Sequence, residues 1–548
     1  MLPPPGIRGV YRTDARARAA YAEGAGIYRI IPSAVALPAD LQDLRHLVCW
    51  AAEHRIGLIP RGAGSAMSGG NVGGGIIVDL TRMSPAPPII DTARNLGFTT
   101  AGTTLAQLNT EASRHGLRLP PDPSSGRWAT LGGMLATNAS GARSVRYGSV
   151  RRWVQGLTLV TADGEAVQLR RGETEQSSSP VSALARFDRT ARPAIAAAAS
   201  LIHARFPHTR KNSSGYALDA YLDSRDTIDL VIGAEGTLGI VSDIEWRLDL
   251  IPAERAGLRI GLPTLDRLSD LIQSLSPLEP SALELLDQSF LELVGTDKLA
   301  SAGLRFGGME AVLLVEFERN DRDSLRRATE EATARARPLA YSVDTAFSSE
   351  AAERLWAVRH AASPILARLP EERRSLQVIE DACVPLPRVS EYIRGVRGGA
   401  AKLEIPVVIF GHAGDGHIHV NLLPNVTRAG WEASVASLQD EVTSLVVRLG
   451  GTLSGEHGDG RLRAASLSEV FGADVLRLFR LVKDSFDPLG IFNPGVILSS
   501  GEPPISRLKV GRGAAPLPED ISSALREIER SGGYARPRLE LAGDSRES

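Results

Sequence analysis

The chain has 548 residues, 43% of them hydrophobic and 23% charged, with 62 basic against 64 acidic side chains and a formal net charge of −2. That length and apolar content allow several buried cores, while the near balance of charge, with no block of about five or six like charges, excludes a nucleic-acid or membrane-surface footprint. No apolar run reaches the roughly 18 residues of a membrane span and residues 1–24 lack the apolar stretch of a secretory signal, so a cytoplasmic location is expected. The two cysteines, Cys49 and Cys383, build neither a disulfide framework nor a four-thiolate iron–sulfur cluster.

In chain order, Asp40 followed by Leu41, Leu44, Val48 and Ala51 predicts a capped amphipathic helix ending near Gly57. Directly after it comes PRGAGSAMSGG (60–70), between the apolar runs 56–59 and 75–80, so the glycines join two strands. Gly62, Gly64, Gly69 and Gly70 can take positive φ, and the loop reads as a backbone cradle for a phosphate or pyrophosphate. The alternative is a glycine-rich hairpin without a ligand. The dinucleotide fingerprint fails, because Met67 stands where its third glycine belongs.

A second helix is expected from Thr104 to His115. The Pro120–Ser125 loop and the small-residue stretch 130–150 suit close approach of backbone to a flat ligand. Residues 157–164 read as a hairpin, 171–190 as a mobile polar excursion, and 229–250 as two strand-like runs around EGTLGIV. After Ile251-Pro252, helices near 264–275, 321–336, 350–368 and 431–449 alternate with strands near 311–317, 378–386 and 405–423, which predicts a separate α+β domain. Residues 499–548 read as a loosely attached tail.

Four of the ten histidines fall between 412 and 457, in GHAGDGHIHVN (411–421) and SGEHGDG (454–460). Strand alternation puts His417, His419 and Asn421 on one face. His412, His419 and Glu456 have the imidazole–carboxylate character of a divalent-metal site, Zn²⁺ for example, the alternative being a hydrogen-bonded histidine network. His457, between flexible glycines, is a candidate general base, or else a residue that only orients Glu456. Arg359 is a candidate carboxylate clamp, or a solvated helix arginine.

Taken in order, PRGAGSAMSGG, PPDPSS with TLGGMLATNASG, EGTLGIV, GHAGDGHIHVN, SGEHGDG and DPLGIFNPG (487–495) resemble the FAD-linked oxidases of the vanillyl-alcohol oxidase and p-cresol methylhydroxylase superfamily over residues 30–498. The resemblance is strongest to the D-lactate dehydrogenase, D-2-hydroxyglutarate dehydrogenase and glycolate oxidase flavin-subunit branch. It implies an α+β protein with a two-subdomain FAD-binding domain of the p-cresol methylhydroxylase type and an α+β, ferredoxin-like cap. The implied layout is an extension 1–29, the FAD domain 30–250, the cap 251–455, a segment 456–498 returning to the FAD domain, and the tail 499–548.

The resemblance also assigns roles. Arg61, Gly62, Ala63, Gly64, Ser65 and Ala66 would hold the FAD pyrophosphate; Pro121, Thr130, Gly133, Thr137, Asn138 and Gly141 would run along the flavin; Glu235 and Ile240 would lie near the nucleotide end, with Asn493 in the returning segment. Arg359 and Asn421 match substrate positions, His412, His419 and Glu456 the metal ligands, and His457 the catalytic base. Two departures are visible. Many relatives carry Asn at the place of His417, and the lysine that serves a second carboxylate in hydroxyglutarate enzymes is missing near 378–383, which argues against a dicarboxylate.

The expected enzyme is a dehydrogenase that oxidises a lactate- or glycolate-like D-2-hydroxy acid with non-covalent FAD, since the glycine loop has no histidine to form a covalent link. It would pass electrons to a separate iron–sulfur subunit, cytochrome or other carrier, with homo-oligomerisation left open. The rival readings are a non-catalytic flavin subunit of a larger oxidase and a metal-independent alcohol or sugar oxidase of the same superfamily.

Overall fold

The computed structural model describes residues 4–83, 86–173, 182–295, 299, 308–360 and 362–543. Its first layer is a four-stranded sheet in the spatial order Val10–Arg12, Ala34–Leu37, Ile76–Asp79, Leu58–Arg61. The helix Leu41–His54 packs against it through Leu44, Leu47, Val48 and Ala51, with Asp40 capping the Asp43 N–H and Arg55 closing the end in the left-handed conformation. Strands Leu58–Arg61 and Ile76–Asp79 run parallel, so the glycine loop between them is a crossover and not a hairpin.

The second layer is a five-stranded antiparallel sheet in the order Ile89–Asp91, Leu96–Thr100, Ile240–Arg247, Val154–Val160, Ala166–Arg170. The hairpin expected at 157–164 is present between its last two strands. Other expectations need correction. The first of the two runs around EGTLGIV is the helical turn Ile228–Val231. Of the excursion expected at 171–190, residues 174–181 lie outside the described residues, and the helix Ala183–Arg189 is anchored by buried Leu184 and Phe187.

The third unit is a seven-stranded antiparallel sheet in the order Ser342–Ala346, Glu254–Leu262, Ala311–Arg319, Ala282–Asp287, Val407–Gly411, His417–Leu422, Ala382–Cys383. The strand expected at 378–386 is reduced to the pair Ala382–Cys383, because residues 375–381 form irregular backbone that turns Glu380 and Asp381 toward the histidines. Glu284, Glu316 and Glu318 of this sheet are at most 1% exposed. Glu316 and Glu318 pair with Arg143 and Arg118 of the segment 118–147, so buried ion pairs join this unit to the rest. Because a buried charge costs several kcal/mol unless it is paired, these contacts fix the register of the junction.

The tail is not loose. Its helix Glu519–Ser531 buries Ile521, Leu525 and Ile528 against Ala19, Ala20, Tyr21, Val35 and Ile77, each worth about 1.5–3 kcal/mol when fully buried. Arg374, ahead of the strand Ala382–Cys383, pairs with its Glu529.

Candidate functional site

A cleft with about 1500 Å³ of empty space, its open mouth included, runs along the glycine loop. Arg61, Gly62, Ala63, Gly64, Ser65 and Ala66 line it, as do Thr130, Gly133, Thr137, Glu235 and Ile240. Of the four loop glycines, Gly64 and Gly69 take positive φ, at +78° and +83°. Gly62 and Gly70 serve by lacking bulk: a Cβ on Gly62 would collide with Thr130 Oγ1, and one on Gly70 would lie 2.7 Å from Glu235 Oε2. Arg61 is 2% exposed and donates to the carbonyls of Tyr21, Glu23 and Asn71, stiffening the loop from behind. Burial and Arg538 push its pKa down to about 10.

The remaining expected cofactor residues do not line this cleft. Pro121 is buried beside it. Asn138 closes the short helix Leu131–Thr137 in the left-handed conformation and accepts from the Arg151 N–H. Gly141 donates its N–H to Glu456, and Asn493 Nδ2 donates to the carbonyls of Gly70 and Glu235, 2.8 Å each, bracing the loop from the far side.

At one end of the cleft stand Glu456 and His457. Glu456 divides its two oxygens between the two halves of the molecule. Oε2 accepts from Ser140 Oγ (2.6 Å), the Gly141 N–H (2.8 Å) and Lys211 Nζ (2.9 Å), all from the half of the chain before residue 250. Oε1 faces His412 Nε2 (3.1 Å) and His419 Nε2 (3.5 Å), and these two nitrogens are 3.3 Å apart. Three donors on a tetrahedral Zn²⁺ at about 2.1 Å would stand about 3.4 Å from one another. The residues therefore fit a divalent metal by donor type and spacing.

His417 does not belong to this set. It is fully buried, with Nδ1 3.2 Å from Lys211 Nζ and Nε2 2.8 Å from Asp381 Oδ1, so although a ring nitrogen lies within 4.8 Å of the other three ligand atoms, both nitrogens already have other partners. Burial, then the Lys211 charge, pushes it down to about 3, which keeps the ring neutral. Asn421 shares the strand face but bonds to Ser375 (2.9 Å) and not to the histidines.

Charge organises the rest. Burial disfavours a charged His412, but Glu284 and Glu456 on its two sides raise it to about 9. His457 is 27% exposed on its side chain, stacks on His419 at 5.4 Å and an 18° interplanar angle, and turns Nδ1 to Glu380 at 2.8 Å. Against burial, Glu380 and Asp381 raise it to about 10. Arg463 holds the other Glu380 oxygen, and burial of Glu380 is outweighed by His457 and its other partners, so its pKa is far below the usual range. Arg359 Nε donates to Glu284 at 2.9 Å while its guanidinium lies 4.7 Å from the Phe410 ring centre.

Sequence reasoning missed Lys211, Glu284, Glu380, Asp381, Arg463 and Ser140. Glu284 carried one signal: it is the lone charge within the fully buried run of Ala282–Leu286. Lys211 carried none, lying 245 positions from its partner Glu456.

Comparison with known proteins agrees with this geometry. Residues 32–170 match the FAD binding domain, and residues 251–497 the C-terminal domain of FAD linked oxidases. The chain is 31% identical over 468 residues to a D-lactate dehydrogenase of Archaeoglobus fulgidus, covering 85% of this chain and 91% of that one. It is 29% identical to glycolate oxidase subunit GlcD of Bacillus subtilis, covering 85% and 89%. It is 30% identical to a D-2-hydroxyglutarate dehydrogenase of Pseudomonas putida, covering 90% of this chain but 51% of that protein. Alkyldihydroxyacetonephosphate synthase shares the fold, with a TM-score of 0.59 at 16% identity over 88% of this chain and 83% of that one. Among the described residues no helix is long and apolar enough to cross a membrane. A glycine loop packed too closely on its neighbours for side chains, a cleft large enough for a dinucleotide and these two domain matches together place the chain among the FAD-linked oxidases, an FAD-dependent oxidoreductase.

Proposed function

We propose that the protein oxidises a D-2-hydroxy acid of the lactate or glycolate kind to the 2-oxo acid. The observation that carries this is Glu456, which lines the cofactor cleft with one oxygen anchored on the flavin side and the other facing two imidazoles of the cap. Substrate held at that seam lies between cofactor and cluster. The curated relatives named for lactate and glycolate support the substrate class.

FAD, held non-covalently by residues 61–66 and 130–137, supplies the hydride acceptor when bound. Arg359 binds the substrate carboxylate: Glu284 occupies Nε and Phe410 supports the plane, which leaves the Nη edge to form the two-pronged contact. His412, His419 and Glu456 would hold a divalent cation that polarises the substrate hydroxyl. His457 Nε2 takes the hydroxyl proton, while Glu380 fixes its ring through Nδ1. It can act only after losing its own proton. Glu456 and His419, the groups beside it, are those whose charge and lone pair a cation would engage, so base strength depends on the loaded site. The segment 251–455 serves as the substrate cap. Reoxidation falls to a separate electron carrier, because Cys383 is buried and Cys49 stands alone at the surface.

Anaerobic mixing with a panel of D- and L-2-hydroxy acids tests the reading. Bleaching of the flavin by D-lactate or glycolate, and a fall of about 10²–10⁴-fold in the reductive rate constant of His457→Ala at saturating substrate, are expected. A flavin that no hydroxy acid reduces, or a variant that reduces at the original rate, refutes it.

A further inference from the structure

Glu284 is 0% exposed, yet it is neither on the cleft wall nor among the three donor atoms that converge on one point. Its place follows from strand register. Ala282–Asp287 pairs antiparallel with Val407–Gly411, Leu285 opposite Gly411 and Leu286 opposite Phe410; continued by one position, the register puts Glu284 across from His412. The carboxylate then has two partners on opposite sides. Oε1 meets His412 Nδ1, and Oε2 accepts from Arg359 Nε at 2.9 Å. Arg359 comes from the helix Ser349–His360, a separate element held to the sheet here through Glu284 and the Phe410 ring.

Two consequences follow from one carboxylate. With Nδ1–H donated to Glu284, the imidazole of His412 presents Nε2 as its ligand atom, toward Glu456 and His419. A carboxylate behind a ligating imidazole fixes its orientation and raises its basicity. At the same time, occupation of Arg359 Nε selects which edge of the guanidinium faces outward. Resting on the function proposed above, we infer that Glu284 is a positioning residue that couples the substrate-carboxylate clamp to the metal-binding imidazole. It touches neither substrate nor metal.

The coupling has a sign. If Arg359 is removed, Glu284 keeps His412 as its single strong donor, and a positive charge near the cation site disappears. Both changes tighten metal binding. If Glu284 is removed, His412 loses its backing and Arg359 its tether, so metal and substrate both bind more weakly.

The test uses full-length, FAD-loaded protein stripped of metal, with Zn²⁺ affinity measured by competition against a chromophoric chelator. Glu284→Gln should weaken Zn²⁺ binding by about 10–100-fold with unchanged FAD content. At saturating Zn²⁺ its KM for the hydroxy acid should rise about tenfold, with kcat less affected. In an Arg359→Met background the same change should give no further rise in KM, since Glu284 reaches substrate only through Arg359, yet it should still weaken Zn²⁺. A Glu284→Gln protein whose Zn²⁺ affinity stays within about twofold overturns the inference, and so does a full extra KM penalty in the double variant. Should Glu284→Gln fail to fold, Arg359→Met alone decides, because it should tighten Zn²⁺ about threefold or more and an unchanged affinity overturns the coupling. Original protein that binds no Zn²⁺ defeats the proposed function together with this inference, whereas original protein that binds Zn²⁺ beside an indifferent Glu284→Gln defeats this inference alone.

Discussion

The two walls of the site are built from opposite materials. The cofactor wall is made of backbone and missing side chains: Gly62, Gly64 and Gly70 leave room, and Arg61 and Asn493 brace the loop through main-chain carbonyls. The proposed cap wall is made of charge, with Glu284, Glu380, Asp381, His412, His417 and His419 joined hand to hand and to Arg463 of the segment that follows. A wall of the first kind fails sterically and locally. One of the second kind fails electrostatically, and the failure spreads through every partner of the group removed. Glu456 and Lys211 belong to both, and the largest effects are expected there.

Metal removal should produce the greatest contrast. A chelator should slow flavin reduction by about 10³–10⁴-fold, the several kcal/mol a Lewis acid supplies, while leaving FAD bound, because Arg61 and Asn493 brace the glycine loop through main-chain carbonyls and not through the histidines. Chelated protein that still reduces at full rate would return the cluster to a hydrogen-bonded network; loss of FAD on chelation would show the walls to be one structure.

Next comes Lys211→Met. The ammonium is 5% exposed and held by Glu456, with Gly141 and His417 as further partners. Although burial works against it, Glu456 and Asp415 raise its pKa. Removing it leaves Glu456 buried with less compensation, a loss of about 3–5 kcal/mol. Denaturant unfolding should show that loss, and Ser140→Ala, which removes a neutral donor to the same oxygen, should cost about 1 kcal/mol. Equal effects would mean that the charge of Lys211 is irrelevant.

Gly64→Ala probes the other wall. Positive φ costs a side chain about 1–2 kcal/mol, and the new Cβ would press on the Arg61 guanidinium. The total is about 3 kcal/mol, read as loss of FAD on dilution with Zn²⁺ affinity unchanged. A shift in metal affinity would again join the walls.

This contrast also explains what could be read in advance. The cofactor wall was legible because its chemistry is local: glycines at fixed spacing between apolar runs announce a loop that needs backbone, even though parallel pairing of its strands was not evident. In the cap, strand alternation found His417 and His419 on one face but could not tell a donor from a support, since that is decided by Lys211 and Asp381 from distant segments. Glu284 and Glu380 contact His412 and His457 across 128 and 77 positions, and no spacing rule reaches that far. The tail was misread for the same reason. Ile521, Leu525 and Ile528 form a visible helical stripe, but the surface it covers lies about Ala20 and Val35 at the other end of the chain.

A smaller effect than that of Gly64→Ala is expected at Glu235, a buried carboxylate of the cleft wall that also meets the segment after His457. It accepts the N–H groups of Asp459 (2.7 Å) and Gly460 (3.0 Å). Burial, then the Asp459 charge, raises its pKa from 4.5 to about 8. The folded state therefore favours the protonated acid. Stability from this preference is complete below pH 4.5, is lost as pH rises toward 8, and is gone above it. Glu235→Gln mimics the protonated form and keeps an oxygen for both N–H groups, so it should match the original protein near pH 4.5 and exceed it on the alkaline side. At pH 7 the gain should be on the order of 2 kcal/mol after allowance for relaxation around the charge. Paired unfolding curves of FAD-free protein across that range measure it. If the two curves stay parallel, Glu235 is ionised throughout, and the cofactor wall carries a buried charge of its own.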